Sequence, residues 1–235
     1  MTDTQGKLLV APPNIPDWRF QKTVMYIWRH DVTGAAGVII NKKCTHPDFK
    51  HICEEGGVKR KQDINLPVYY GGPVLNNLIG ILHSKDYQLA STNTDKLQPL
   101  GFTLDKKLLD MVAQGGGPKK KIVTLGMATW DGGQLEDELE AVPPRKPTTS
   151  WLVIPYDEEL VFGPKREDMW ETSVSRAIKN KTAEITDKIF YHDNDFDLNK
   201  VQSLLSDTLE SSDDGELYLE STKSESFSFD DGRMK

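Results

Sequence analysis

The chain has 235 residues, 37% of them hydrophobic, which is enough apolar material for one substantial core. No stretch approaches the roughly 20 apolar residues that a membrane helix needs, the start Met1-Thr2-Asp3-Thr4-Gln5 lacks a secretion signal, and two cysteines cannot make a disulfide framework, so a cytoplasmic protein is expected. The net charge of −7 is carried by the C-terminal part: from Tyr191 onward there are 12 Asp/Glu against 4 Lys/Arg, while the remainder holds 24 acidic and 25 basic residues and lacks the basic footprint of a nucleic-acid binder.

Short apolar, β-rich runs open the chain. Leu8 to Ala11 predicts a strand, and Thr23 to His30 with Ala35 to Asn41 predicts a hairpin joined by the turn Asp31-Val32-Thr33-Gly34. Between them Pro12-Pro13-Asn14-Ile15-Pro16-Asp17 predicts a rigid loop, because proline removes backbone donors. Further strands are predicted at Val68 to Tyr70, Gly80 to His83, Lys121 to Leu125 and Trp151 to Pro155. Helices are predicted over Asp105 to Gln114, where Leu108, Leu109 and Val112 form one stripe, over Gln134 to Glu140, and from Glu167 towards Phe190. The proline-rich run 143–150 reads as an exposed insertion. From about Tyr191 the composition is too polar to offset the ordering entropy of a fold, so residues 191–235 are expected to be a disordered tail, with a weak helix around Leu198 to Leu209.

Several constellations invite a chemical reading. Gly71-Gly72-Pro73-Val74 is either a tight turn or a run of open amides presented to a ligand. In Trp130-Asp131-Gly132-Gly133-Gln134-Leu135-Glu136-Asp137-Glu138-Leu139 the glycines can turn a strand into a helix start. Its carboxylates either cap that helix or meet a ligand, and Gln134 and Glu138 share a face away from Leu135 and Leu139. His30 and His83 each fall near the end of a predicted strand, where a histidine can bind, titrate or satisfy a buried carbonyl. The set Cys44, His46, His51 and Cys53 has four zinc-type donors but not a zinc-finger spacing, so no metal is expected. Gly115-Gly116-Gly117-Pro118-Lys119-Lys120-Lys121 follows a helix, the reverse of a phosphate loop, and Asp193-Asn194-Asp195 opens a calcium-like run that fails at Leu198 and Leu204. There is no nucleophile elbow, zinc-protease or dinucleotide fingerprint.

The tryptophan motif, the Gly71 to Val74 run, Gly126 and the opening Gly6-Lys7-Leu8-Leu9-Val10-Ala11 together resemble the AlgH/YqgE family, whose members share W-x-x-G-Q-L-E and G-G-P-V. The likeness spans about Gly6 to Ile178, with colinear matches that include His30, His83 and Trp151-Leu152. It departs at Lys42-Lys43, where relatives usually have Arg-Pro, in the longer loop before Trp151, and in the acidic tail.

The resemblance implies a compact α+β domain over residues 1–190 with a mostly antiparallel, tightly wound sheet flanked by helices. Some members are described as proposed transcriptional regulators, and none has an assigned catalytic residue. A non-enzymatic binding or regulatory domain is therefore expected, without a cofactor and away from membranes. Its ligand surface would combine Gly71, Gly72, Pro73, His83, Trp130, Gln134 and Glu136 to hold a small polar ligand or a protein partner. The alternative is an enzyme using Glu136 or His83 as general base.

Overall fold

The computed structural model describes residues 4–95, 98–140, 150–164 and 166–192, with side chains up to residue 183; these residues fall within one compact unit. The acidic tail, the helix expected near Leu198 and most of the proline-rich insertion lie outside the described residues.

The hairpin forms as β2 (Val24–Asp31) and β3 (Gly34–Ile39), and both strands read as nearly continuous apolar runs because both of their faces are covered. One face carries Tyr26, Trp28, Val38 and Ile40; the other carries Met25, Ile27, Ala35 and Ile39. A register shift at Trp28 turns His30 to the same face as Ala35. Outside the hairpin lie β1 (Leu8–Val10) and then β8 (Leu152–Ile154), both antiparallel.

On the inner side β3 pairs with the second half of β7 (Lys121–Asp131). The first half of β7 pairs with β5 (Val74–Ser84), which pairs with β6 (Leu100–Thr103). The path is β6-β5-β7-β3-β2-β1-β8, and β4 (Val68–Tyr70) adds to β7 as a parallel neighbour. The sheet winds tightly enough for Phe102 of β6 to stack on Trp28 of β2 at 4.9 Å between ring centroids. The expected α+β architecture with a mostly antiparallel sheet is therefore present.

Helices cover three patches of this sheet. α1 (Phe49–Glu55) and α2 (Lys106–Ala113) bury Phe49, Ile52, Leu108 and Val112 against Val68, Ile81 and Val123. Asp105 caps α2 by accepting from the Lys107 amide at 2.9 Å. α4 (Glu158–Phe162) and α5 (Met169–His192) close the face lined by Tyr26 and Leu82. α3 (Gln134–Glu140) lies over the remaining face with Leu135 fully buried.

Four elements were not expected from the sequence: β6, α1, α4 and a 3-10 helix over Trp18–Phe20. Strands β5 and β7 are also much longer than their predicted apolar cores. β7 runs on through Trp130, so the tryptophan motif begins inside the sheet.

Candidate functional site at the tryptophan motif

Trp130 sits near the end of β7, directly opposite Ala35 of β3, which is opposite His30 of β2. These three residues form a cross-strand row on the face that α3 covers. Gly132 and Gly133 then reverse the chain. A Cβ on Gly132 would stand 2.7 Å from the Val32 carbonyl oxygen, and Gly133 has a φ of +81°, so the turn tolerates little but glycine at either position.

The polar side chains of α3 split into two groups. Glu138 accepts both indole N–H groups of the cluster on Oε2, from Trp130 at 3.0 Å and Trp151 at 2.9 Å. Its Oε1 accepts from Gln134 Nε2 at 3.1 Å, and Gln134 Oε1 in turn accepts the Asp131 amide at 3.1 Å. Trp151 meets Trp130 edge to face at 6.4 Å and Phe20 at 5.6 Å. Buried indoles need acceptors, and one carboxylate serves both. Gln134 and Glu138, which sequence alone leaves free to meet a ligand, thus bond to each other and to the aromatic cluster.

Glu136 belongs to the second group. Its Oε1 lies 3.3 Å from His30 Nε2, and the His30 side chain is only 1% exposed. His30 Nδ1 accepts the Thr4 amide at 3.3 Å and lies 2.8 Å from the Thr4 hydroxyl, which assigns the proton of the neutral ring to Nε2, facing Glu136. That approach is at ion-pair distance but lacks hydrogen-bond alignment. The His30 amide donates to Gln5 Oε1 at 2.8 Å. His30 therefore ties the first residues of the chain, the hairpin and the motif helix together.

The other sequence-selected residues lie elsewhere or serve packing. His83 is fully buried on β5 and pairs with Lys121, nine residues down β7 from Trp130. Its Nδ1 donates to the Ser84 carbonyl at 2.9 Å, and its Nε2 accepts from Thr103 Oγ1 at 2.9 Å. Burial pushes its pKa below the ordinary value, partly opposed by the Ser84 carbonyl bond. The structure does not bring His83 together with Trp130.

Gly71 donates its amide to the Leu125 carbonyl at 2.7 Å and accepts from the Ile39 amide at 2.9 Å. A Cβ on Gly71 would lie 2.2 Å from the Gly126 oxygen, and one on Gly72 would lie 2.3 Å from the Met127 carbonyl carbon. These glycines let one backbone cross against another, and Pro73 directs the exit into β5. Tyr70, just before them, packs against the apolar cluster that holds Trp130 and Trp151.

Cys44 and Cys53 both pack in the cluster under α1 and α2, and burial raises both thiol pKa values. His46 and His51 approach to 4.6 Å between ring centroids, and His51 faces Glu55 at 3.3 Å. Among the described residues no group of three or more His, Cys, Asp or Glu is placed to hold a metal ion.

Two participants were not assigned to the expected ligand surface: Glu138, although its spacing of four from Gln134 marks the shared face, and Trp151, whose indole needs an acceptor once buried.

Known proteins agree with this architecture. A UPF0301 protein of Bradyrhizobium is 33% identical over 179 residues, covering 73% of this chain and 80% of its own. One from Rhodospirillum rubrum is 35% identical over 173 residues, covering 73% and 85%. The solution structure of AlgH from Pseudomonas aeruginosa superposes with a TM-score of 0.58 at 27% identity over 78% of this chain and 97% of that one. The crystal structure of DIP2367 from Corynebacterium diphtheriae shares the fold, with a TM-score of 0.54 at 19% identity over 75% and 88% of the two chains. The AlgH-like family model matches residues 8–181, so the chain belongs to the AlgH-like family.

Proposed function

We propose that this protein is a non-enzymatic binding domain that acts in regulation, in the cytoplasm, by engaging the basic segment of a protein partner at the α3 end of its sheet. The observation that carries the reading is Glu138, whose carboxylate is held by two indoles and Gln134 and so anchors α3 rigidly on the aromatic cluster. Around that anchor the surface is acidic. Asp31 and Asp131 stand in one row across Gly34, and Glu136, Asp137 and Glu140 follow on α3, with Arg29 beside Asp31 at 3.2 Å. Val32, 79% exposed at the hairpin tip, supplies an apolar contact in the middle of this rim.

The geometry favours binding over turnover. His83 is sealed with both of its nitrogens engaged, so it is not presented to a reacting proton, and Glu136 faces the buried His30 at 3.3 Å. The glycine run, Trp130, Gln134 and Glu136 serve this reading as the scaffold that sets the surface rather than as its contact atoms. Residues 1–190 would carry the function.

The test is a titration of isotope-labelled full-length protein with a short oligo-lysine peptide, followed by backbone amide shifts. Saturable shifts clustered on Val32 and residues 131–140, lost with Asp131→Asn and Asp137→Asn together, are expected. Shifts scattered over the whole surface would overturn it. Turnover in a metabolite screen that disappears on Glu136→Gln would move the assignment to an enzyme.

A further inference from the structure

At the opposite end of the hairpin, three cations from remote parts of the sequence converge on the turn 40–42. Lys22 immediately precedes β2, with a φ of +52°. Asn41 staples it in place: its Nδ2 donates to the Lys22 carbonyl at 2.8 Å and its Oδ1 accepts the Val24 amide at 2.9 Å. Lys42 follows directly, and its carbonyl accepts the Tyr70 amide at 2.7 Å. Arg166 arrives from the connection between α4 and α5, donates from Nη1 to the Ile40 carbonyl at 3.1 Å, and lies 4.9 Å over the Tyr69 ring.

The charges here are poorly neutralised. Lys22 meets Glu171 only at 3.8 Å, with both side chains more than half exposed, and rests 5.4 Å over the Trp170 ring. Among the described residues, neither Lys42 nor Arg166 has a carboxylate within ion-pair distance, although Glu167 and Asp168 follow Arg166 in the chain. Burial lowers the pKa of Lys42, and the nearby Lys22 charge lowers it further; burial also lowers that of Arg166. A partly desolvated cation without a carboxylate partner is costly to hold, and Lys42 carries the added repulsion of Lys22 while Arg166 stands at the same turn. Arg166 keeps donors of its planar fork beyond the one spent on Ile40, and Lys42 brings a point charge.

We infer that the turn 40–42, with Lys22, Lys42 and Arg166, is a binding site for a phosphate-type oxyanion, either free or as a small phosphomonoester. The site is separate from the α3 surface and does not depend on its role. The anion accepts from the Arg166 fork and the two ammonium groups, and the Asn41 staple holds the turn in the shape that keeps the three together. The aromatic rings under Lys22 and Arg166 orient those cations without supplying negative charge.

The experiment uses the full chain, titrated with inorganic phosphate and separately with glycerol phosphate at constant ionic strength, with chloride as the balancing anion. Saturable amide shifts at Lys42, Tyr70 and Arg166 are expected with phosphate and absent with chloride. Tighter binding of the monoester identifies an esterified ligand, and equal or weaker binding identifies the free ion. Lys42→Gln leaves the backbone bond to Tyr70 in place and should weaken binding by about tenfold or more, or roughly 1.4 kcal/mol. Arg166→Lys keeps a charge but loses the fork, and should weaken it less. Linear shifts matching those in chloride, or undiminished affinity in a folded Lys42→Gln protein, would overturn the assignment.

Discussion

The two ends of the β2–β3 hairpin treat charge in opposite ways. At the α3 end, Glu138 accepts two indoles and an amide, and Glu136 faces His30, so the inner carboxylates sit where neighbouring groups face them. At the Lys22 end, Lys42 and Arg166 are drawn partly out of water without an acidic partner among the described residues. A carboxylate with several donors contributes to the stability of its own fold, whereas an unneutralised cation lowers stability until something binds. The first end is thus a self-contained scaffold, and the second carries the cations on which the proposed anion site rests.

The largest effect should come from removing the apolar foundation of the α3 end. Leu135 is fully buried among Leu9, Ala35 and Trp130, so Leu135→Ala should cost about 2–5 kcal/mol in urea unfolding. A cost under about 1 kcal/mol would mean that α3 is not anchored on the sheet.

Next come the donors to Glu138. Trp151→Phe and Glu138→Gln should each cost about 1–3 kcal/mol, and the double variant should cost less than their sum because they break one bond. Full additivity would detach Glu138 from the indole and dissolve the contrast between the two ends.

His83 supplies a pH signature that belongs to neither end. Its folded pKa is depressed, so the unfolded chain binds the proton more readily, and the stability held above about pH 6.5 is lost as pH falls through that value towards the folded one. His83→Asn should flatten that part of the stability profile. The carboxylates Asp17, Asp105 and Asp157, lowered by their hydrogen bonds, lose their contribution at lower pH, below the ordinary carboxylate range, and remain as a separate limb. An unchanged slope between pH 5 and 7 in the variant, on the order of the His range, would assign the effect elsewhere.

The smallest effect sharpens the comparison most. Without added phosphate, Lys42→Gln removes repulsion from Lys22 and should leave stability unchanged or raise it by under about 1 kcal/mol. A clear loss would show that Lys42 already has its partner.

Local pattern made much of the fold legible. The stripe Leu108, Leu109, Val112 with Asp105 before it placed α2, and the apolar runs on either side of Asp31-Val32-Thr33-Gly34 placed the hairpin. β6 escaped because four residues, Leu-Gly-Phe-Thr, carry no periodicity to read. α1 escaped because its cysteine and histidine look like metal ligands, whereas Phe49, Ile52 and Cys53 face the core. The site divided in the same way. Trp130, Gln134 and Glu136 could be placed at one corner because they are contiguous in sequence.

Sequence by itself therefore determined the family, the hairpin, the main helices and the corner where α3 begins, since each depends on interactions within a few residues or on a motif read in one stretch. Tertiary structure alone decided that Glu138 joins Trp130 to Trp151, that His83 on β5 pairs with the far end of β7, and that Arg166 reaches the Ile40 carbonyl two residues before Lys42. The physical reason is register: the pairing of long strands sets which distant side chains share a place, and no local preference of the chain encodes that distance.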